Sequence, residues 1–229
     1  MTRRLLLLAA CAAALAVPQG ASARVIELGA QADAATPSCP ADPCEAAVRV
    51  TGVQGRSAGG PKNPYYIRRH GWLVAFTVTL SQPTAEQINF FEDNFGSPAQ
   101  VRLSVLRRGD TRRTRLNYRL LAQSDSFPLD DYFGSSPTFV LEEPLRVRRG
   151  NWVGITVDTW APMFASNLPR RNWWRSSRAR ASCDPPRSLE QFALEDPGEV
   201  GAFGCTYHGA RLLYTATYIP DNRPTSTDD

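Results

Sequence analysis

Alternation at every second residue constrains this chain more than any other feature. Between Arg68 and Leu80, the residues Trp72, Val74, Phe76, Val78 and Leu80 fall on one face of an extended chain, and Leu73, Ala75, Thr77 and Thr79 on the other. Side chains of a strand point to opposite faces in turn, so this run predicts a central β-strand. The same period returns in Ala47 to Val53, Gln100 to Arg107, Arg115 to Ala122, Thr138 to Leu141, Leu145 to Val147, Trp152 to Thr159 and Ala210 to Ile219, and Val25 to Leu28 adds a short strand. In Trp152 to Thr159 the residues Val153, Ile155 and Val157 are expected to face the core. Gly, Pro and Asp punctuate these runs, and the arginine-rich turn around Gly109 and Asp110 makes Gln100 to Arg107 and Arg115 to Ala122 a hairpin.

The period changes once, between Gln82 and Phe95. Thr84 followed by Gln87 reads as a capping box, and Ile88, Phe91 and Phe95 recur at helical spacing, which predicts a short helix plugging one end of the core. Short strands with frequent turns and a single helix imply an all-β fold, one antiparallel β-sandwich over residues 47–220. Eight or so strands at this length favour a jelly roll over an immunoglobulin-type sandwich, which needs only about 100 residues. The run PLRVRRGNWVGITVDT, an alternating strand, a turn glycine and a second alternating strand, resembles the late hairpins of secreted jelly-roll modules, including carbohydrate-binding ones. That resemblance implies the fold and brings no ligand residues with it.

Residues 1–23 read as a secretory signal. Thr2-Arg3-Arg4 is the positive region, Leu5 to Val17 is almost wholly apolar, and Ala21-Ser22-Ala23 is the cleavage site. A lipoprotein box ending at Cys11 would leave too short an apolar run before it, so no lipid anchor is expected. Later apolar runs fall short of the ~20 residues that span a bilayer, so the mature chain is expected to be secreted. Residues 24–46 form a lead-in and 221–229 a frayed tail.

Four cysteines remain after the signal, an even number for an oxidising compartment. The three pairings they allow leave the choice open, with Cys39–Cys44 and Cys183–Cys205 favoured because the first closes a Pro-rich turn and the second staples a long segment. Their spacing is not that of a zinc site. No metal or other cofactor is expected. Asp130 and Asp131 could offer oxygens to calcium, but their neighbours lack the spacing of a calcium loop.

Arginine supplies 25 of the 26 basic residues, with Lys62 the one lysine, which reads as codon bias and weakens any argument from arginine alone. Without Arg3 and Arg4 the balance is 24 basic against 22 acidic residues, too even to suggest a nucleic-acid partner. The charge is uneven, however. Residues 101–180 hold 15 arginines and 7 acids, and residues 181–229 hold 3 arginines and 8 acids, so the two segments are expected to lie against each other.

Several motifs weaken on inspection. Gly55 to Gly59 matches the G-x-S-x-G nucleophile elbow, but the prolines at 61 and 64 exclude the helix that the motif requires. His70 and His208, the two histidines, read as surface residues, and Glu142 and Glu143 are adjacent, so on a strand they diverge. The remaining constellation is aromatic. Trp173 and Trp174 stand with Arg171 and Arg175 in a segment, Pro162 to about Gly209, that lacks a long strand pattern, and Tyr65-Tyr66 lies in another loop. Flat rings and guanidinium groups are the parts of a glycan-binding face, and the alternative is that a tryptophan plugs the sandwich under the stapled loop. The reading is a secreted, non-catalytic binding module for an extracellular glycan or other polymer, with a structural or protein-binding envelope protein as the alternative and a hydrolase behind both.

Overall fold

The structure, a computed structural model, describes residues 24–30, 35–183 and 190–222. The signal segment, Cys11, Ser188 as a helix cap and the tail from 223 onward lie outside the described residues. The strands are β1 (Ile26–Leu28), β2 (Ala47–Arg56), β3 (Gly71–Val78), β4 (Gln100–Arg108), β5 (Asn117–Gln123), β6 (Phe127–Pro128), β7 (Thr138–Val147) and β8 (Asn151–Ala161). After them come β9 (Phe164–Ala165), β10 (Trp173–Ser176), β11 (Val200–Ala202), β12 (Cys205–His208), β13 (Arg211–Leu212) and β14 (Tyr214–Pro220). The helix α1 spans Ala85–Phe95, between β3 and β4.

Eight of these strands pair as nested hairpins. β4 pairs β5, β3 pairs β7, β2 pairs β8 and β1 pairs β14, all antiparallel. One sheet therefore runs β1-β14-β3-β7, and the other contains β2-β8-β4-β5 within the longer order β11-β5-β4-β8-β2-β10-β12. A long hairpin rolled up in this way is a jelly roll, and the sandwich expected from the alternating runs is the observed fold. The predicted hairpin forms, and Val153, Ile155 and Val157 face the core between the sheets.

The helix also forms as the sequence predicts. The Thr84 hydroxyl accepts from the Gln87 amide, and the Gln87 side chain accepts from the Thr84 amide. This satisfies two donors that a helix start otherwise leaves unpaired. Phe91 stacks on the fully buried Trp160 at 4.8 Å, so the helix closes one end of the core.

Four expectations need correction. In β3 the strict alternation fails, because the register slips between Leu73 and Ala75 against β7 and between Thr217 and Tyr218 on β14. Leu73, Phe76, Val78 and Leu80 are buried, and Trp72, expected among them, is 41% exposed. Such bulges shift which side chains face inward. Thr138 to Val147 is one strand rather than two. Within it, Glu142, Glu143 and Pro144 are exposed. Ala210 to Ile219 is divided, with β13 pairing β9 before β14 joins the small sheet. The segment from 162 to 209 is not strandless, since it contributes β9, β10, β11 and β12 in pieces of two to four residues. Pieces that short carry almost no periodic signal.

These pieces reshape the large sheet. β11 adds to β5 at one edge, and β12 adds to β10 at the other, although only Phe203 and Gly204 separate them in the chain. The sheet must therefore roll until its two edges nearly meet. Residues 191–203 cross the rolled face as a strap, and Leu194 and Phe203 form a second core with Val53, Leu106, Tyr118, Leu120 and Trp152. This explains why every residue of β8 is buried rather than every other one.

A row of polar side chains holds the strap down. The Thr156 hydroxyl lies 2.8 Å from that of Thr51 and 2.6 Å from that of Ser104, and the Gln123 amide donates to Thr156 and to the Leu194 carbonyl. The Leu194 amide in turn donates to Thr51 Oγ1 at 2.9 Å. Buried hydroxyls left without partners cost more than the bonds themselves contribute. Thr156→Val is expected to destabilise the domain by about 1–2 kcal/mol in urea unfolding. A change within error would show that the row is dispensable.

Both favoured disulfides are present, Cys39–Cys44 and Cys183–Cys205. The second ties the end of the β10 segment to the start of β12. Among the described residues no helix is long and apolar enough to cross a membrane.

Candidate functional site: the basic end of the sandwich

Register gathers distant turns at one end of the molecule. Arg107 on β4 lies opposite Asn151 on β8, Trp152 bridges Tyr66, Arg56 at the end of β2 bridges Lys62, and Arg56 also faces Trp173 on β10. In the small sheet, Gly71 faces Val147 and Pro220 at the same end. The basic turns at 107–115, 148–149 and 170–171 and the basic loop 62–69 therefore open together. At the opposite end stand α1, with Glu86, Glu92 and Asp93, and the turn carrying Asp130 and Asp131. The fold converts a chain of nearly balanced charge into one with a basic and an acidic pole. Asp110 and Asp221 also stand at the basic end, paired with Arg107 and Arg146, and the remaining excess of cations attracts ligands of opposite charge over several ångströms.

Trp173 and Arg175 project from β10 on the rolled face of the sheet, and Trp174 and Ser176 project the other way. The Trp173 ring lies against Gly55, where an added β carbon would fall 2.0 Å from it. Only glycine leaves room there. The Arg175 guanidinium sits over the same ring at 5.3 Å from its centroid. Burial pushes Arg175 below its ordinary arginine range, and Arg108, Arg115 and Arg180 push it the same way, against a pull upward from Tyr118. The Nε atoms of both Arg56 and Arg175 are shielded from solvent and have no hydrogen-bond acceptor among the described residues. Trp160 Nε1, Trp174 Nε1 and Arg178 Nε share this condition elsewhere in the fold, so the ring and its covering guanidinium, rather than the lone donors, distinguish this surface.

The six aromatic and basic residues singled out from sequence separate into two groups. Trp173, Arg175 and the exposed Arg171 stand at the basic end, as does Tyr66, whose ring meets Trp152 edge-on at 5.4 Å. Trp174 and Tyr65 do not belong to a site. Trp174 is 5% exposed, stacked on Tyr207 at 4.6 Å and edge-on to Phe164, so it is the buried plug. Tyr65 is 2% exposed, stacks on Tyr214 at 4.3 Å and donates its hydroxyl to the Tyr214 carbonyl. Adjacent residues on a strand face opposite ways, which divides Trp173 from Trp174, whereas Tyr65 sits in a turn that directs its ring into the core.

Other candidates take ordinary places. Both histidines are exposed, with His208 Nδ1 3.4 Å from the Arg170 carbonyl. Ser57 follows β2 into a turn, with no helix after it. Asp130 accepts from the Ala99 amide at 3.3 Å, and burial raises its carboxyl above the usual range. No group of three or more His, Cys, Asp or Glu side chains suited to a metal occurs among the described residues. The opposed charge of residues 101–180 and 181–222 meets directly at Arg146 and Asp221, a two-pronged pair at 2.7 and 2.8 Å.

Sequence reasoning missed Arg56, Lys62, Arg68 and Arg69. Each is unremarkable alone, and only the pairing of β2 with the 62–67 segment assembles them. Compared with protein-family models, curated proteins and solved structures, the chain gives no match.

Proposed function

We propose that this chain is a secreted, non-catalytic binding module that holds an extracellular glycan against its basic end. The reading rests chiefly on the half-buried Trp173 ring with the Arg175 guanidinium over it, set among the basic turns of this end with the exposed Arg171. Ligand oxygens would accept from the exposed Arg171 and the other guanidinium groups of this end, and the indole and Tyr66 would offer apolar surface beside them. Because Arg175 covers part of the ring, the contact surface is an indole–guanidinium pair rather than a bare stacking platform.

Isothermal titration against cell-wall and plant polysaccharides tests the reading. A Trp173→Ala chain, its fold checked by circular dichroism, is expected to lose at least about tenfold in affinity, or about 1.4 kcal/mol. Unchanged binding by Trp173→Ala combined with Arg175→Gln would rule the surface out.

A further inference from the structure

A cleft of about 270 Å³ continues the same end toward the small sheet, lined on its rim by Arg24, Lys62, Arg68 and Arg69. No carboxylate among the described residues lines it. None of the four cations has an ion pair among the described residues, since the three pairs found there are Arg102–Asp158, Arg107–Asp110 and Arg146–Asp221. Asp221, which follows the lining Pro220, is already held by Arg146, and Arg69 reaches only its backbone carbonyl at 2.7 Å; Glu27, between the lining Ile26 and Leu28, accepts from the Thr217 hydroxyl at 2.9 Å. The floor is apolar and firm. Ile26 and Pro64 contribute to it with the rings of Tyr66 and Tyr218, and the Tyr218 hydroxyl is fixed by donating to the Arg69 carbonyl at 2.8 Å.

Four like charges around one small cleft repel each other and favour an anion. The apolar floor asks for a ligand that carries its charge beside a flat, weakly polar face. We infer that the cleft is a subsite for an acidic sugar ring within an anionic polysaccharide, the ring lying on Tyr66 and its carboxylate facing Arg68 and Lys62. This inference rests on the glycan-binding reading and narrows it to polymers bearing uronic acids. A polymer suits the place better than an isolated anion, because the bridge between Lys62 and Arg56 joins the cleft to the Trp173–Arg175 surface in one strip. Guanidinium groups bind carboxylates through two parallel bonds, which gives direction as well as charge.

The test compares polygalacturonate with neutral dextran, using the parent, Trp173→Ala and the double variant Lys62→Gln/Arg68→Gln. Both residues of the double variant are exposed, so folding is expected to survive. The parent should bind polygalacturonate more tightly than dextran and weaken as salt shortens the screening length from about 10 Å at 0.1 M to about 3 Å at 1 M. The double variant should lose at least about tenfold toward polygalacturonate and nothing toward dextran. If both polymers bind equally, with sensitivity to Trp173→Ala alone, the acidic subsite is overturned and the glycan reading stands. If neither polymer binds, both fall. Binding to vesicles rich in phosphatidylglycerol, but not to polygalacturonate, would overturn the sugar class in favour of a lipid surface.

Discussion

Replacing Trp174 with alanine is expected to destabilise the domain by about 3–5 kcal/mol, among the largest costs available to a single substitution here. The indole is 5% exposed and lies between Tyr207 and Phe164, in the main core with Leu212. Its neighbours are committed to it. Gly52, the partner of Ser176 across β2 and β10, could not carry a β carbon without placing it 2.5 Å from Leu212 and 3.3 Å from the Trp174 ring. Such a tightly fitted site cannot collapse around a smaller residue, so the cavity term adds to the lost burial. The adjacent Trp173→Ala should be far milder, because that ring is only half buried. Denaturant unfolding of the two variants side by side gives the answer, and equal losses would mean that the division of β10 into a core face and a surface face is wrong.

Breaking Cys183–Cys205 with serine at both positions is expected to cost about 3 kcal/mol on the chain-entropy account. The sequence separation is 22, against 5 for Cys39–Cys44, for which the same relation gives about 2 kcal/mol. The larger bond also carries more structure. Cys205 is fully buried and opens β12, and Cys183 leads into the strap that covers β8. Reduction should therefore expose Trp152 and the second core before the sandwich itself unfolds, read as a shift in tryptophan emission ahead of the main urea transition. A loss under about 0.5 kcal/mol, with one unshifted transition, would show that Leu194 and Phe203 hold the strap unaided.

The sequence was most legible where one face of an element meets the core and the other meets water. β5 and α1 satisfy that condition, and their alternation or helical spacing gave both type and approximate bounds. β8 shows the opposite case. Its alternation of Val153, Ile155 and Val157 was readable, but burial of its second face depends on a strap whose own strands are too short to have a period. β3 misled because two bulges moved Trp72 outward without altering the composition that made it look inward. At the site, the pairs Trp173-Trp174 and Tyr65-Tyr66 drew attention as doublets, yet strand alternation in the first and a turn in the second send one residue of each into the core. The basic pole was hidden for a different reason. Its arginines are spread through unconnected turns, and codon bias made each of them uninformative until register brought the turns to one end.

The nested pairing of β1 with β14, β2 with β8, β3 with β7 and β4 with β5 also orders how the chain can assemble. Only the innermost pair joins neighbours in sequence, whereas the outermost joins Ile26 to Tyr218. Closing long loops costs entropy before any contact repays it, so folding is expected to start at the β4–β5 hairpin and proceed outward, slowly. Until Tyr214–Pro220 arrives, β3 has one open edge and Tyr65 lacks the ring on which it stacks. A chain built this way completes its core only with its last strand in hand.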